Sequence, residues 1–361
     1  MEVMNATPHA PAEVLHGWTH LAFPIDDASR VGEARRFGAH ASGELGWNAT
    51  DAGRLSLVVT ELATNLHRHA RGGRLLIAAI PGRRTVEVIA IDNGPGIADL
   101  RLVMRDGYST GGSPGTGLGA VRRLSDSFDL HSTPQGTVCV ARVQERLQGE
   151  EDGFAAVNAI APRAAPLPAV RIGAICLPLR GETVCGDAWA AAIDGERVAL
   201  CVADGLGHGP EAARPSQAAL SVFLQSPFSE LGGVADRSHL ALQGTRGAAV
   251  CSLRWEGPQA PVHSASIGNV SARLLSGVAD RSVPAAHGTV GLHIRKARET
   301  ATQPPDHALA IVHTDGIESR WLPAALHPLL GRDPALAAAV LLRDHHRARD
   351  DATVVVVQRT G

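Results

Sequence analysis

The run from Gln148 to Pro168, QGEEDGFAAVNAIAPRAAPLP, constrains this chain more than any other feature. It is rich in alanine, proline and acid and has neither a helical nor an alternating apolar period, so it reads as a connection between folded units. A length of 361 residues agrees with that, because domains usually run to roughly 100–200 residues. We therefore expect a first domain over residues 1–147, a linker over 148–168 and a second domain over 169–361. Before the linker the pattern runs helix, strand, strand, glycine-rich loop, helix, strand, which is a compact α/β unit. After it come short Val, Ala and Leu runs broken by Gly and Asp, the mark of a β-rich unit with helices between strand groups.

Charge and cysteine usage narrow the function. Lys and Arg number 34 against 36 Asp and Glu, so the chain offers no broad electrostatic footprint for nucleic acid or an anionic membrane. No apolar run approaches the ~20 residues that cross a bilayer, and the first residues lack the basic-then-apolar order of a secretory signal. Cys139, Cys176, Cys185, Cys201 and Cys251 form no C-x-x-C pair. Most lie in apolar runs, and they read as reduced thiols in a cytoplasmic protein.

In the first half, Leu55, Val58, Val59, Leu62 and Leu66 recur at helical spacing and form one buried stripe. Glu61 and Asn65, four residues apart, share the flank beside it. The next strand, Val86 to Ile91, ends in Asp92-Asn93-Gly94-Pro95-Gly96-Ile97. There the Asp92 carboxylate can accept a hydrogen bond from an exocyclic amino group, while Gly94 and Gly96 let a flat ring approach the backbone. Further on, Gly115, Gly117 and Gly119 lead into a helix over Ala120–Leu124, a setting suited to cradling phosphates. In this order, E-L-A-T-N, D-N-G-P-G-I and G-T-G-L-G resemble the ATP-binding GHKL superfamily. The run Asp106–Gly112 and Arg122–Asp126 look most like its stressosome switch kinases of the RsbT type. The resemblance implies that Asn65 holds a magnesium ion on the phosphates of ATP, Asp92 binds adenine, and Gly94, Gly96, Gly115, Gly117 and Gly119 line the pocket. It also implies Glu61 as the general base that takes the proton of an attacking serine hydroxyl. Thr64 departs from the arginine usual in that branch, at a position that bears on phosphate or partner contacts.

In the second half, acids sit at strand ends. Asp187 opens one apolar run and Asp204 closes the next, with Asp194-Gly195 between them as a hairpin signal. A two-residue loop at Asp194-Gly195 pairs Asp187 with about position 202 and brings the two carboxylates to one end. Like charges so close repel unless a cation lies between them, and oxygen-only donors suit Mg or Mn rather than zinc. Asp315 follows the run Ala308–Thr314, and Asp350-Asp351 precede Val354–Val357. Acids delivered from strand tips to one edge suit a two-metal phosphate site. The segments G-D, D-G-L-G-H-G, S-I-G-N, T-D-G-I and D-D-A-T-V resemble the metal-dependent type-2C protein phosphatases, in their sporulation and stress branch of the RsbX type. That match implies Asp187, Asp204, Asp315 and Asp350 as metal ligands, completed by the Gly205 carbonyl, with Asp351 the alternative to Asp350. His208 either moves a proton beside the metals or is simply accommodated in a turn. Ser266-Ile267-Gly268-Asn269 reads as a strand-end turn without chemistry.

Together these readings describe a two-domain α+β protein. The resemblances imply that the first domain is a GHKL (Bergerat-type) α/β sandwich with helices on one face of a mixed sheet. They imply for the second a type-2C phosphatase-like β-sandwich flanked by helices. The expected function is a cytoplasmic bifunctional regulator: a kinase using ATP and Mg2+, joined to a phosphatase holding two Mn2+ or Mg2+ ions. Its expected substrate is a STAS-type anti-sigma antagonist or stressosome protein, with an anti-sigma or other signalling partner, and no nucleic acid or membrane. The alternative is a phosphatase whose first domain binds ATP only to regulate or to hold a partner.

Overall fold

The computed structural model describes residues 12–70, 73–104, 117–146, 168–295 and 298–360. In the first half, β1 (Glu13–His16) and β2 (Leu21–Ile25) precede the helices α1 (Ala28–Glu44) and α2 (Ala49–His69). Then come β3 (Gly73–Ile80), β4 (Thr85–Ile91), α3 (Leu100–Val103), α4 (Leu118–Leu124), β5 (Ser127–Thr133) and β6 (Gly136–Gln144). Helix α2 starts where the Asn48 side chain accepts from the N–H of Asp51, which satisfies an otherwise orphaned helix donor. Its stripe of Leu55, Val58, Val59, Leu62 and Leu66 is buried against Leu75, Ile77 and Val88 of the sheet, as a 3.6-residue period requires.

The first sheet runs β2-β3-β4-β6-β5. All of its pairings are antiparallel, a correction to the mixed sheet expected. The short connections from β3 to β4 and from β5 to β6 allow hairpins only, since parallel neighbours need a long crossover. A second correction concerns β1. It pairs antiparallel with Asp187–Asp194 and so forms an edge of the other domain's sheet, although its residues fall within 1–147.

The second half contains β7 (Val170–Leu177), β8 (Asp187–Asp194), β9 (Arg197–Gly205), α5 (Pro210–Gln225), α6 (Leu231–Ala241), β10 (Ala248–Trp255) and β11 (Val262–Ile267). It continues with β12 (Ser271–Leu275), β13 (Asp280–Ser282), β14 (Gly288–Thr289), β15 (His293–Ile294), β16 (Thr300–Thr302), β17 (Leu309–His313), α7 (Pro334–His345) and β18 (Ala352–Arg359). Two sheets, β1-β8-β9-β10-β11-β16 and β13-β12-β17-β18-β7, face each other across Trp189, Leu200, Cys251, Leu274 and Val312. Alternation along β18 shows how one strand serves two layers: Val355 and Val357 enter this inter-sheet core, while Val354 and Val356 face α7. Helices α5 and α6 cover the outside of the β1-β8-β9-β10-β11-β16 sheet. A two-sheet sandwich flanked by helices is the architecture that the type-2C resemblance implied.

Helix α7 joins the halves. Every residue from Pro334 to Leu342 is buried, as expected of a helix apolar all round. One side packs on β18 and β7, and the other on Leu76, Ile89, Ile91, Val138 and Val140 of the first sheet. The first domain's sheet is therefore covered on both faces, by its own helices and by the second domain's α7.

Charged groups fix this contact at both ends of the helix. Glu87 on β4 is fully buried, accepting from Arg142 Nε (2.7 Å) and Trp18 Nε1 (3.3 Å) and lying 3.1 Å from His20 Nε2. Arg142 also reaches Asp333, whose side chain caps α7 by accepting from the N–H of Ala335 (2.9 Å). Burial works to raise the Glu87 carboxyl, but Arg142 and then His20 outweigh it and hold it below the usual range. At the far end, Arg74 Nη2 donates to the Leu342 carbonyl (3.0 Å), and its Nη1 lies 3.3 Å from His346 Nδ1. Among the described residues no helix is long and apolar enough to cross a membrane.

Candidate functional site

The first set of residues gathers where β4 stops. Asp92 follows Ile91, and its Oδ1 accepts from the main-chain N–H groups of Gly94 (2.7 Å) and Thr137 (3.1 Å). Those bonds orient the carboxylate and leave Oδ2 for another donor. Gly96 has φ +76°, and a Cβ there would lie 2.1 Å from the Thr133 carbonyl oxygen, so no other residue fits this turn without strain. A Cβ on Gly94 would come within 3.1 Å of the His69 carbonyl oxygen. The Asp92 loop therefore abuts the C-terminal end of α2, one helical turn beyond Asn65. Glu61 and Asn65 are both half-buried on the flank of that helix, as their spacing predicts. Gly117 caps α4 and Gly119 is buried in its first turn. Gly115 and the run Asp106–Gly112 lie outside the described residues.

The second set gathers at one end of the sandwich. In the β8–β9 hairpin the turn residues are Gly195 and Glu196, so Asp187 stands directly across from Asp204. This corrects the pairing with position 202. Gly195 has φ +59° and takes the first loop position, where type II′ hairpins place glycine, so Asp194 stays in the strand opposite Arg197. The opposing sheet supplies the remaining acids. The N–H of Asp315 donates to the Asp204 carboxylate, and Asp350 lies close enough to act on it electrostatically. Thr314, next to Asp315, donates its hydroxyl to Asp187 Oδ2 (2.8 Å).

The acids feel one another. Burial, and then the charges of Asp315 and Asp350, push the Asp204 carboxyl from 3.8 up to about 7. Burial, and then Asp204, raise Asp187 well above the carboxylate range. Mutual repulsion of this kind is relieved by a cation, and an all-oxygen donor set fits Mg2+ or Mn2+. Among the described residues no three acid, thiol or imidazole groups close on one point as a finished ligand shell. The acids thus stand as a loose ring at the sandwich end, near enough to act on one another without closing a ligand shell among the described residues.

Asp350 and Asp351 differ in what they touch. Both oxygens of Asp351 are engaged by main-chain N–H groups, Oδ1 by Leu179 (2.7 Å) and Oδ2 by Gly186 (2.8 Å), and the residue is buried. Asp350 is half-buried and, among the described residues, accepts from the N–H of Asp351 alone (2.9 Å). Gly205 is required sterically, since a Cβ there would lie 1.8 Å from the Ala212 carbonyl oxygen. His208 pairs with Glu182 (2.8 Å) and acts electrostatically on Asp350.

Sequence reasoning missed three of these contacts. Thr314 stood unnoticed beside Asp315. Glu182, the partner of His208, lies in a loop without pattern. Asn269, at the end of a segment read as a bare turn, donates to Asp315 Oδ2 (2.7 Å), and its adjacency to a positive-φ glycine, Gly268 at +96°, was the available signal.

A model of the histidine kinase-like ATPase domain matches residues 23–143. Over 101 residues the chain is 42% identical to the serine/threonine-protein kinase RsbT of Bacillus subtilis (strain 168), covering 27% of this chain and 76% of that one. Among solved structures it is similar to a chain described under the bacterial stressosome, a modular system adapted to control secondary messenger signalling (28% identity, 52% of this chain and 98% of that one, TM-score 0.49). It is also similar to RsbX in complex with magnesium (21% identity, 53% and 96%, TM-score 0.48). The identity to RsbT extends over most of that protein, and through residues 23–143 the chain belongs to the histidine kinase-like ATPase family as a relative of RsbT.

Proposed function

We propose that this chain is a cytoplasmic, bifunctional regulator of a partner-switching pathway, phosphorylating a protein serine or threonine at one site and removing phosphate from protein at the other. The observation that carries the reading is the convergence of Asp187, Asp204, Asp315 and Asp350 from two facing sheets, with Asp204 pushed up to about 7 by its neighbours. Asp350 is the assigned fourth acid, because Asp351 spends both oxygens on main-chain donors. Divalent cations held by these four and the Gly205 carbonyl would supply Lewis acidity and an activated water. The chain's own contribution is placement. Thr314 and Asn269 orient Asp187 and Asp315 by hydrogen bonds, and Asp351 ties the segments before β8 and β18 together.

In the first domain Asp92 is assigned to the adenine amino group and Asn65 to magnesium on the phosphates, with Gly94, Gly96, Gly115, Gly117 and Gly119 around the nucleotide. Glu61 accepts the proton of the attacking hydroxyl. The substrate is assigned to the STAS-type antagonists or stressosome proteins on the strength of the kinship with RsbT. Linking opposed activities in one chain raises the effective concentration of each at a shared target.

A second reading, an ATP-binding domain that only regulates the phosphatase, is favoured by one contact. Arg74, Asn93 and His346 line a single cavity behind Asp92, and only four residues separate His346 from Asp351. Incubation with labelled ATP and a STAS-type protein separates the two. Label on the partner's serine, lost in Glu61→Ala, supports transfer. Nucleotide binding that changes phosphatase rate without any label supports the regulatory reading.

A further inference from the structure

Two of the five cysteines meet. Cys176 lies on β7 and Cys185 in the irregular segment before β8, with their Sγ atoms 3.5 Å apart and both residues buried. The other three have no such neighbour. Cys139 sits in the first domain's core, Cys201 faces the α5 side of its sheet, and Cys251 faces the inter-sheet core.

The two thiols differ in freedom. Cys176 is held in the ladder with β18, and its carbonyl accepts from the His20 N–H (2.8 Å). Cys185 belongs to residues 181–186, which carry neither helix nor strand. Beside the fixed partner lies a cavity of about 130 Å³, lined by Cys176 and Asp187 together with Trp18, Thr19, Gln217 and Ser221.

We propose that Cys176 and Cys185 form an oxidation site, joined by a peroxide into a disulfide that displaces Asp187 and weakens cation binding at the acid ring. The Cys176 sulfur attacks one peroxide oxygen, the O–O bond breaks, and the departing hydroxide takes up the thiol proton to leave as water, giving a sulfenic acid. The Cys185 sulfur then attacks that sulfur, the S–S bond forms, the S–O bond breaks and water leaves. Two sulfurs give up two electrons in all, and the peroxide becomes two waters. A disulfide is about 2.0 Å long, so the sulfurs must close from 3.5 Å, and the movement falls on segment 181–186, outside the helices and strands. Gly186, the next residue, donates to Asp351 Oδ2 (2.8 Å), and Asp187 follows it. Closure therefore pulls on Asp187 of the ring and on Asp351, the neighbour of Asp350, at once.

The disulfide stands on the thiol geometry alone, whereas its effect on cations rests on the function proposed above. The test uses the full chain, reduced and then treated with hydrogen peroxide, followed by peptide mapping without reductant and by calorimetric titration with manganese. The expected map shows one cross-linked pair, Cys176 with Cys185, at a mass loss of about 2 Da. Manganese affinity is expected to fall by roughly tenfold or more, as when the surroundings of metal ligands are disturbed, and to return with dithiothreitol. Cys185→Ser and Cys185→Ala should bind manganese like the reduced parent and ignore peroxide. Cys176 and Cys185 remaining free to alkylation after peroxide, or a disulfide that leaves manganese affinity unchanged, overturns the proposal. Reduced chain that binds no manganese overturns the cation reading and the gating with it, while the peptide map still decides whether the thiols pair.

Discussion

Asp204→Asn is expected to stabilise the chain once divalent cations have been stripped from it. The Asp204 carboxyl rises on folding from 3.8 to about 7, through burial first and then through Asp315 and Asp350. A carboxyl raised in this way costs nothing below its unfolded pKa, where it is protonated in both states, and its protonated advantage is lost as pH rises through the folded value. At about 1.4 kcal/mol per pH unit, the interval from 3.8 to about 7 corresponds to an upper figure of about 4 kcal/mol at pH 8. Roughly 2–3 kcal/mol of it accumulates between pH 5 and pH 8. An asparagine cannot ionise, so the variant should escape that loss. Urea denaturation of both proteins in chelator, at pH 5 and pH 8, measures the difference directly. The stability gap should widen with pH in favour of the variant, and millimolar manganese should reverse the order by stabilising the parent alone. Stability curves for the two proteins that run parallel from pH 5 to pH 8 would show that Asp204 feels no acid ring, and the reasoning would fail.

Arg142→Met leaves Glu87 and Asp333 buried without their shared counter-charge, and should cost about 3–5 kcal/mol in urea denaturation. Gly96→Ala forces a Cβ to within 2.1 Å of the Thr133 carbonyl at φ +76°, so it should weaken binding of a fluorescent ATP analogue while the second domain's manganese affinity holds. Thr314→Val removes the hydroxyl that orients Asp187, and should weaken manganese binding by roughly tenfold, read by calorimetry.

Much of this was legible because the signals were local. The α2 stripe and the strand that stops at Asp92 follow from period and turn chemistry, and so do the acids that open or close β8, β9, β17 and β18. The register of β8 with β9 was legible only to within two residues, because Asp194 and Gly195 can each begin a two-residue loop and only Gly195 tolerates the positive φ found there. Asp350 and Asp351 were inseparable for a different reason: adjacency fixes that one faces the ring, but which one depends on the N–H groups of Leu179 and Gly186, far away in the chain. The largest omission was the junction. That β1 crosses to the second domain's sheet, and that α7 fills the open face of the first, are facts of long-range packing. The run Pro334–Leu342 was apolar on every side, and that was the one trace the junction left in the residues themselves.

The most direct test is release of phosphate from a phosphoserine protein, measured against manganese concentration for the parent chain and for Asp204→Asn. A saturable, manganese-dependent rate in the parent and none in the folded variant is the predicted result. Equal rates in both, or a parental rate indifferent to chelator, would contradict the assignment of these four aspartates to a cation-dependent phosphatase.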